Sequence, residues 1–138
     1  GAAQTLEDKR VTTLAQGAGE IVLVVEDNPE VRRVVMRQLS GLGYRALETG
    51  SGADALEILG REPVDLLLTD IVMPGGLDGV DLARIAIEKW PTLKVVLTSG
   101  FPETRIDIES ETLRSLRLIS KPYSRAELAT VLRSSLEN

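Results

Sequence analysis

IVLVVEDNPEVRRVVMRQLSGLGY, residues 21–44, is the stretch whose reading decides the fold of this 138-residue chain. The run Ile21–Val25 is apolar, largely β-branched and too short for a buried helix, so it reads as a strand. Its hydrophobicity does not alternate, which indicates a strand covered on both faces, as in a parallel sheet. Asn28-Pro29 then places a capping residue before a proline suited to a first helical turn. Val31, Val34, Val35, Leu39 and Leu42 follow at helical spacing, and Gly41 and Gly43 stop the helix. The stretch is one strand–helix unit.

Working outward, the same grammar recurs. Strand-like runs stand at Tyr44–Glu48, Val64–Thr69, Lys94–Thr98 and, more weakly, Arg117–Ser120. Ser51 opens a second helix carrying Ala55, Leu56 and Leu59. A third helix is expected from about Leu77 to Lys89, ending before Pro91. The last begins at Ser124-Arg125-Ala126-Glu127, a capping box, and continues through Leu128, Val131, Leu132 and Leu136. The apolar residues between Gly100 and Leu116 fit no single stripe, so at most a short or irregular helix is expected there. Residues 1–19 lack a clear period and read as a linker or tail, and Gly1 in place of methionine suggests processing or an expression scar. Residues 20–138 read as one α/β domain of five strand–helix units, an open doubly wound sheet with helices on both faces.

Composition narrows the chemistry. The chain has no cysteine and no histidine, which removes disulfide scaffolds, thiol catalysis, histidine triads and zinc or iron–sulfur sites built on those ligands. A net charge of −5 argues against direct nucleic-acid binding. The longest uninterrupted apolar run is Ile21–Val25, far short of the ~20 residues that span a bilayer. The chain reads as soluble and cytoplasmic, although a parent protein could be membrane-anchored.

In doubly wound sheets function gathers beyond the carboxyl ends of the strands. Here those ends carry Glu26-Asp27, Asp70, Thr98-Ser99-Gly100 and Lys121-Pro122. Carboxylates brought to ~4 Å repel by about 4 kcal/mol per pair at an effective dielectric near 20. Lys121 alone is insufficient to offset three of them. Oxygen donors without nitrogen or sulfur suit Mg²⁺ or Mn²⁺, and magnesium accepts phosphate oxygens, so phosphoryl chemistry follows. Each residue also has a bland reading, as helix cap, turn residue or solvated lysine. Their joint appearance at successive strand ends carries the inference.

The segments VLVVEDN (22–28), LLLTDIVMPGGLDG (66–79), VVLTSG (95–100) and SKPYS (120–124) together resemble the receiver domain of two-component response regulators, over residues 20–137. The resemblance implies a flavodoxin-like (βα)5 sheet of strand order 2-1-3-4-5. It implies a phosphorelay switch in which Asp70 takes a phosphoryl group from a phosphohistidine on a histidine kinase or phosphotransfer protein. Glu26, Asp27, Asp70 and the backbone carbonyl of Val72 would hold Mg²⁺, Ser99 would hydrogen-bond the acyl phosphate, and Lys121 would pair with its oxygens. Thr98 is the rival for the hydroxyl role. A cis Lys121–Pro122 peptide is also implied.

The chain departs from the family pattern at Leu118, where an aromatic switch residue is usual, and in its long Met73–Gly79 loop. With the unclear 100–116 stretch, these departures leave dimer geometry open. The MPGGLDG, TSGF and KPYS segments most resemble the C-terminal receivers of hybrid sensor histidine kinases. A stand-alone single-domain regulator and a pseudo-receiver interaction scaffold are the alternatives. A haloacid dehalogenase-type phosphatase would need an aspartate at position 72, where valine stands, and a dinucleotide-binding module would need glycines after the first strand.

Overall fold

The computed structural model describes residues 17–100 and 116–137. Five parallel strands, β1 (Ile21–Val25), β2 (Arg45–Thr49), β3 (Leu66–Asp70), β4 (Lys94–Ser99) and β5 (Arg117–Ser120), form one sheet of order β2-β1-β3-β4-β5. The helices are α1 (Pro29–Gly41), α2 (Gly52–Arg61), α3 (Gly79–Lys89) and α4 (Arg125–Glu137). The strand order and the doubly wound architecture are those expected. The irregular helix expected at 100–116 lies almost entirely outside the described residues.

Alternation along each strand divides the core in two. Val22, Val24, Leu66, Leu68, Val96 and Ile119 pack with Val35 and Leu39 of α1 and Leu128 and Leu132 of α4. Leu23, Val25, Leu67, Val95 and Leu97 pack on the other face with Ala55 and Leu59 of α2 and Leu82, Ala83 and Ala86 of α3. Burying each large aliphatic side chain stabilises the fold by roughly 1.5–3 kcal/mol. This two-sided burial explains why the strand sequences do not alternate in polarity.

The helix starts are set by side chains. Asn28 accepts the Glu30 and Val31 amides, Ser51 accepts the Asp54 amide, and Ser124 and Glu127 exchange hydrogen bonds in the expected capping box. α3 begins at Gly79, two residues later than the apolar pattern suggests. Asp78 accepts the Asp81 amide while the Asp81 carboxylate accepts the Asp78 amide, a reciprocal cap that fixes the boundary. β2 likewise begins at Arg45, because the Tyr44 amide donates to the Leu39 carbonyl and closes the end of α1. β3 and β4 each reach one residue further than expected at their carboxyl ends. The Asp70–Thr98 and Ser99–Ser120 pairings hold those residues in the sheet.

Candidate functional site

The rim at the carboxyl ends of β1, β3, β4 and β5 gathers the polar residues singled out above. Asp70 closes β3 and is buried, while Glu26, immediately after β1, is also buried and Asp27 is exposed. Carboxylate oxygens of Glu26, Asp27 and Asp70 all lie within 4.8 Å of one another. Lys121, just beyond β5, sends its ammonium into this cluster, with Nζ 2.8 Å from Asp70 Oδ2 and also hydrogen-bonded to Glu26 Oε1.

Backbone geometry holds these groups in place. The Val72 amide donates to Asp70 Oδ1 at 3.3 Å, and the Asn28 amide donates to Glu26 Oε2 at 3.1 Å. The Lys121 amide donates to the Ser99 carbonyl at 2.7 Å, tying the end of β5 to the end of β4. The Lys121–Pro122 peptide is cis. Gly79 has a steric role here. A Cβ at that position would lie 1.8 Å from the Asp70 carbonyl oxygen, so only glycine lets α3 start directly against the end of β3.

The charges perturb one another. Burial pushes the Glu26 carboxyl above its ordinary value, against the opposing pull of Lys121 and the Asn28 amide. Burial alone would lower the Lys121 ammonium, but the hydrogen bonds and charges of Asp70 and Glu26 outweigh it and the net direction is up. Lys121 therefore stays cationic. Burial also pushes the Tyr123 phenol up, and the charges of Glu26 and Asp70 add to that.

The family model for the response regulator receiver domain matches residues 22–133. The chain belongs to this family. The receiver is 37% identical over 115 residues to the response regulator receiver protein CpdR of Brucella abortus (strain 2308), covering 83% of this chain and 95% of that protein. It is 35% identical over 139 residues to the sensor kinase CckA of the same organism, covering 99% of this chain but only 14% of that protein. Among solved structures, the response regulator TrrA from Thermotoga maritima, in complex with Mg²⁺-BeF, superposes with a TM-score of 0.77 at 26% identity, over 85% of this chain and 99% of that one. A sensor protein from Polaromonas sp. JS666 gives 0.78 at 27% identity, over 86% and 97%.

The receiver's expected site residues fall at one rim. Glu26, Asp27, Asp70 and Lys121 are brought together by the distances above. Ser99 and Thr98 are both buried at the end of β4, on opposite sides of the strand. Thr98 continues the side of Val96, and Ser99 continues that of Val95 and Leu97. Val72 is exposed on the loop after β3, and Leu118 is exposed on β5.

Two contributors escaped the sequence reading. Arg32 donates to the Glu26 carbonyl at 2.7 Å and to Glu48 Oε1 at 2.9 Å, bracing the corner between β1 and α1. No sequence signal separates it from Arg33 and Arg37 on the same helix. Tyr123 packs against the α1/α4 core two residues after Lys121, and its place between Lys121-Pro122 and the Ser124 capping box masked it.

The donor set fits a divalent cation. Three carboxylates converge with no nitrogen or sulfur ligand among them, the preference of hard ions such as Mg²⁺. Among the described residues, no helix is long and apolar enough to cross a membrane.

Proposed function

We propose that this receiver is a phosphorelay switch whose phosphoacceptor is Asp70. The donor is a phosphohistidine on a histidine kinase or a histidine phosphotransfer protein. An Asp70 carboxylate oxygen attacks phosphorus as the phosphorus–nitrogen bond breaks, and the imidazole nitrogen leaves with the bonding electron pair. Attack of water on phosphorus later releases phosphate and restores the carboxylate, or a second histidine takes the group onward.

Glu26, Asp27, Asp70 and the Val72 carbonyl are the residues that would hold Mg²⁺, with Mn²⁺ as a substitute. Bound there, the cation offsets the charge that the carboxylates and phosphoryl oxygens would otherwise concentrate. Lys121 supplies the chain's own positive charge to the transferring oxygens, and its contact with Asp70 orients the acceptor. Phosphoryl transfer depends on this positioning and charge neutralisation more than on covalent help from the protein. Ser99 donates a hydrogen bond to the acyl phosphate. About two added negative charges beside Glu26 and Asp27 then force the rim to rearrange.

The observation that carries this reading is Asp70 itself, a buried strand-end carboxylate 2.8 Å from an ammonium, with two further carboxylates in reach. Incubation with Mg²⁺ and acetyl phosphate should add one phosphoryl group by mass spectrometry, and Asp70→Asn should abolish it. Absence of any gain with acetyl phosphate and phosphoramidate would favour the interaction scaffold instead. Ser99→Ala should slow labelling more than Thr98→Ala, and the reverse ranking would move the hydroxyl role to Thr98.

We further infer that the receiver belongs to a hybrid sensor kinase. In support, the alignment with CckA takes in 99% of the chain, whereas that with CpdR takes in 83%. An antibody to this domain should detect a multidomain kinase in the native organism. A band the size of the domain alone would leave a stand-alone regulator.

A further inference from the structure

The segment just ahead of β1 is fastened to the pole of the sheet opposite Asp70. The Gly17 amide donates to the Leu42 carbonyl at 2.6 Å, and the Gly19 amide donates to the Gly43 carbonyl at 3.0 Å. The Glu20 carbonyl accepts the Arg45 amide at 3.0 Å, so residues 17–20 prolong the β1–β2 pairing beyond the end of the strands. Gly17 lies on the buried ring of Tyr44, where a Cβ would come within 2.6 Å of ring carbons. Glycine at 17 is thus the residue that lets the backbone lie flat on that ring.

A side-chain clasp closes over this backbone track. Glu20 Oε2 pairs with the Arg133 guanidinium of α4 at 3.0 Å, while Glu20 Oε1 accepts the Ala18 amide. Arg133 also reaches Glu137 Oε1 at 3.1 Å. Partial burial alone would raise the Glu20 carboxyl, but the Ala18 amide and Arg133 outweigh it and hold it below its ordinary value. Three backbone bonds, an aromatic platform and an ion pair to another element exceed what a free tether would make.

We propose that residues 17–20 are a strap that clamps the chain entering the receiver onto the α1–β2 turn and onto α4, fixing the direction from which upstream sequence arrives. The near end of the strap, Glu20, lies about 20 Å from the level of the acceptor carboxylate, six residues along β1 at roughly 3.3 Å each. It therefore acts on how the receiver is carried, not on its phosphoryl chemistry. In a hybrid kinase the clamp would make α4 and the incoming chain move as one body. That last consequence rests on the hybrid reading; the clamp itself does not.

The test is NMR on the whole 138-residue chain. The Gly17 α-protons should be shifted upfield by the Tyr44 ring, and the Gly17 and Gly19 amides should exchange at least about tenfold more slowly than unstructured amides. Glu20→Gln and Arg133→Gln should each bring both signatures most of the way to random-coil values. Labelling of Asp70 by acetyl phosphate should be unchanged in both variants. Random-coil shifts and exchange in the unmodified chain overturn the strap, and full protection in Glu20→Gln overturns the clasp. Loss of labelling in the unmodified chain would count against the phosphoacceptor alone.

Discussion

Asp27→Asn removes one charge from the acidic cluster while keeping the side chain's shape. An Asp27 oxygen lies within 4.8 Å of oxygens from both Glu26 and Asp70. At an effective dielectric near 20, each such pair costs about 3.5 kcal/mol. Asp27 is exposed, however, and screening by water and salt reduces the two pairs together to about 1 kcal/mol. Lys121 touches Glu26 and Asp70, so its single charge offsets part of the repulsion between those two and leaves that of Asp27 largely uncompensated. The variant should therefore be more stable than the unmodified chain in EDTA, by about 1 kcal/mol or roughly 3–5 °C in Tm. Magnesium should reverse the order. At a hundredfold excess over Kd, a bound ion stabilises the unmodified protein by about 2.7 kcal/mol, and the variant, short of one ligand, should gain less. Calorimetric melts at matched ionic strength, with EDTA and with magnesium chloride, read both effects. A lower Tm for the variant in EDTA, or equal magnesium shifts in both proteins, would refute the reasoning.

Gly79→Ala should lower the urea midpoint by the equivalent of about 3 kcal/mol or prevent folding, because its methyl group meets the backbone of Asp70 and Ile71. An unchanged midpoint would mean that α3 does not abut β3 as described. Lys121→Met should cost about 2 kcal/mol in EDTA, since it leaves Glu26 and Asp70 without their partner at a mostly buried site, and it should also cut acetyl phosphate labelling. The sign of its pH dependence follows from the raised ammonium. Its stabilising contribution is complete below the ordinary lysine value of 10.5 and is lost as pH rises through the higher folded-state value. Urea midpoints followed into the alkaline range should thus converge for the two proteins, and parallel curves would count against that assignment.

The sequence carried the fold because its signals are local and redundant. Ile21–Val25, Asn28-Pro29 and the Ser124–Glu127 capping box each specify one element, and the structure contains all of them. The boundaries that moved did so for reasons that pattern does not encode. Asp78 and Asp81 satisfy each other and delay α3, and the buried Tyr44 belongs to the turn before β2. In the site, the charged residues were legible because acids and a lysine at successive strand ends have few purely structural reasons to coincide. The choice between Thr98 and Ser99 was harder, because a one-residue change of register turns a side chain to the other side of the sheet. Arg32 was invisible for a different reason. It acts through a carbonyl, and nothing in a helix's surface pattern tells which arginine folds back on the backbone.

The sheet works as a bulkhead. Strand alternation assigns each interior side chain to one compartment, and among the described residues the two core clusters share no member. Substitutions that are well separated and share no neighbours combine nearly additively. Repacking beneath α2 and α3 should then sum with repacking beneath α1 and α4, while paired changes within one compartment should not. A receiver built this way can drift on one side of its sheet without renegotiating the other, which gives evolution two independent surfaces to fit to different partners.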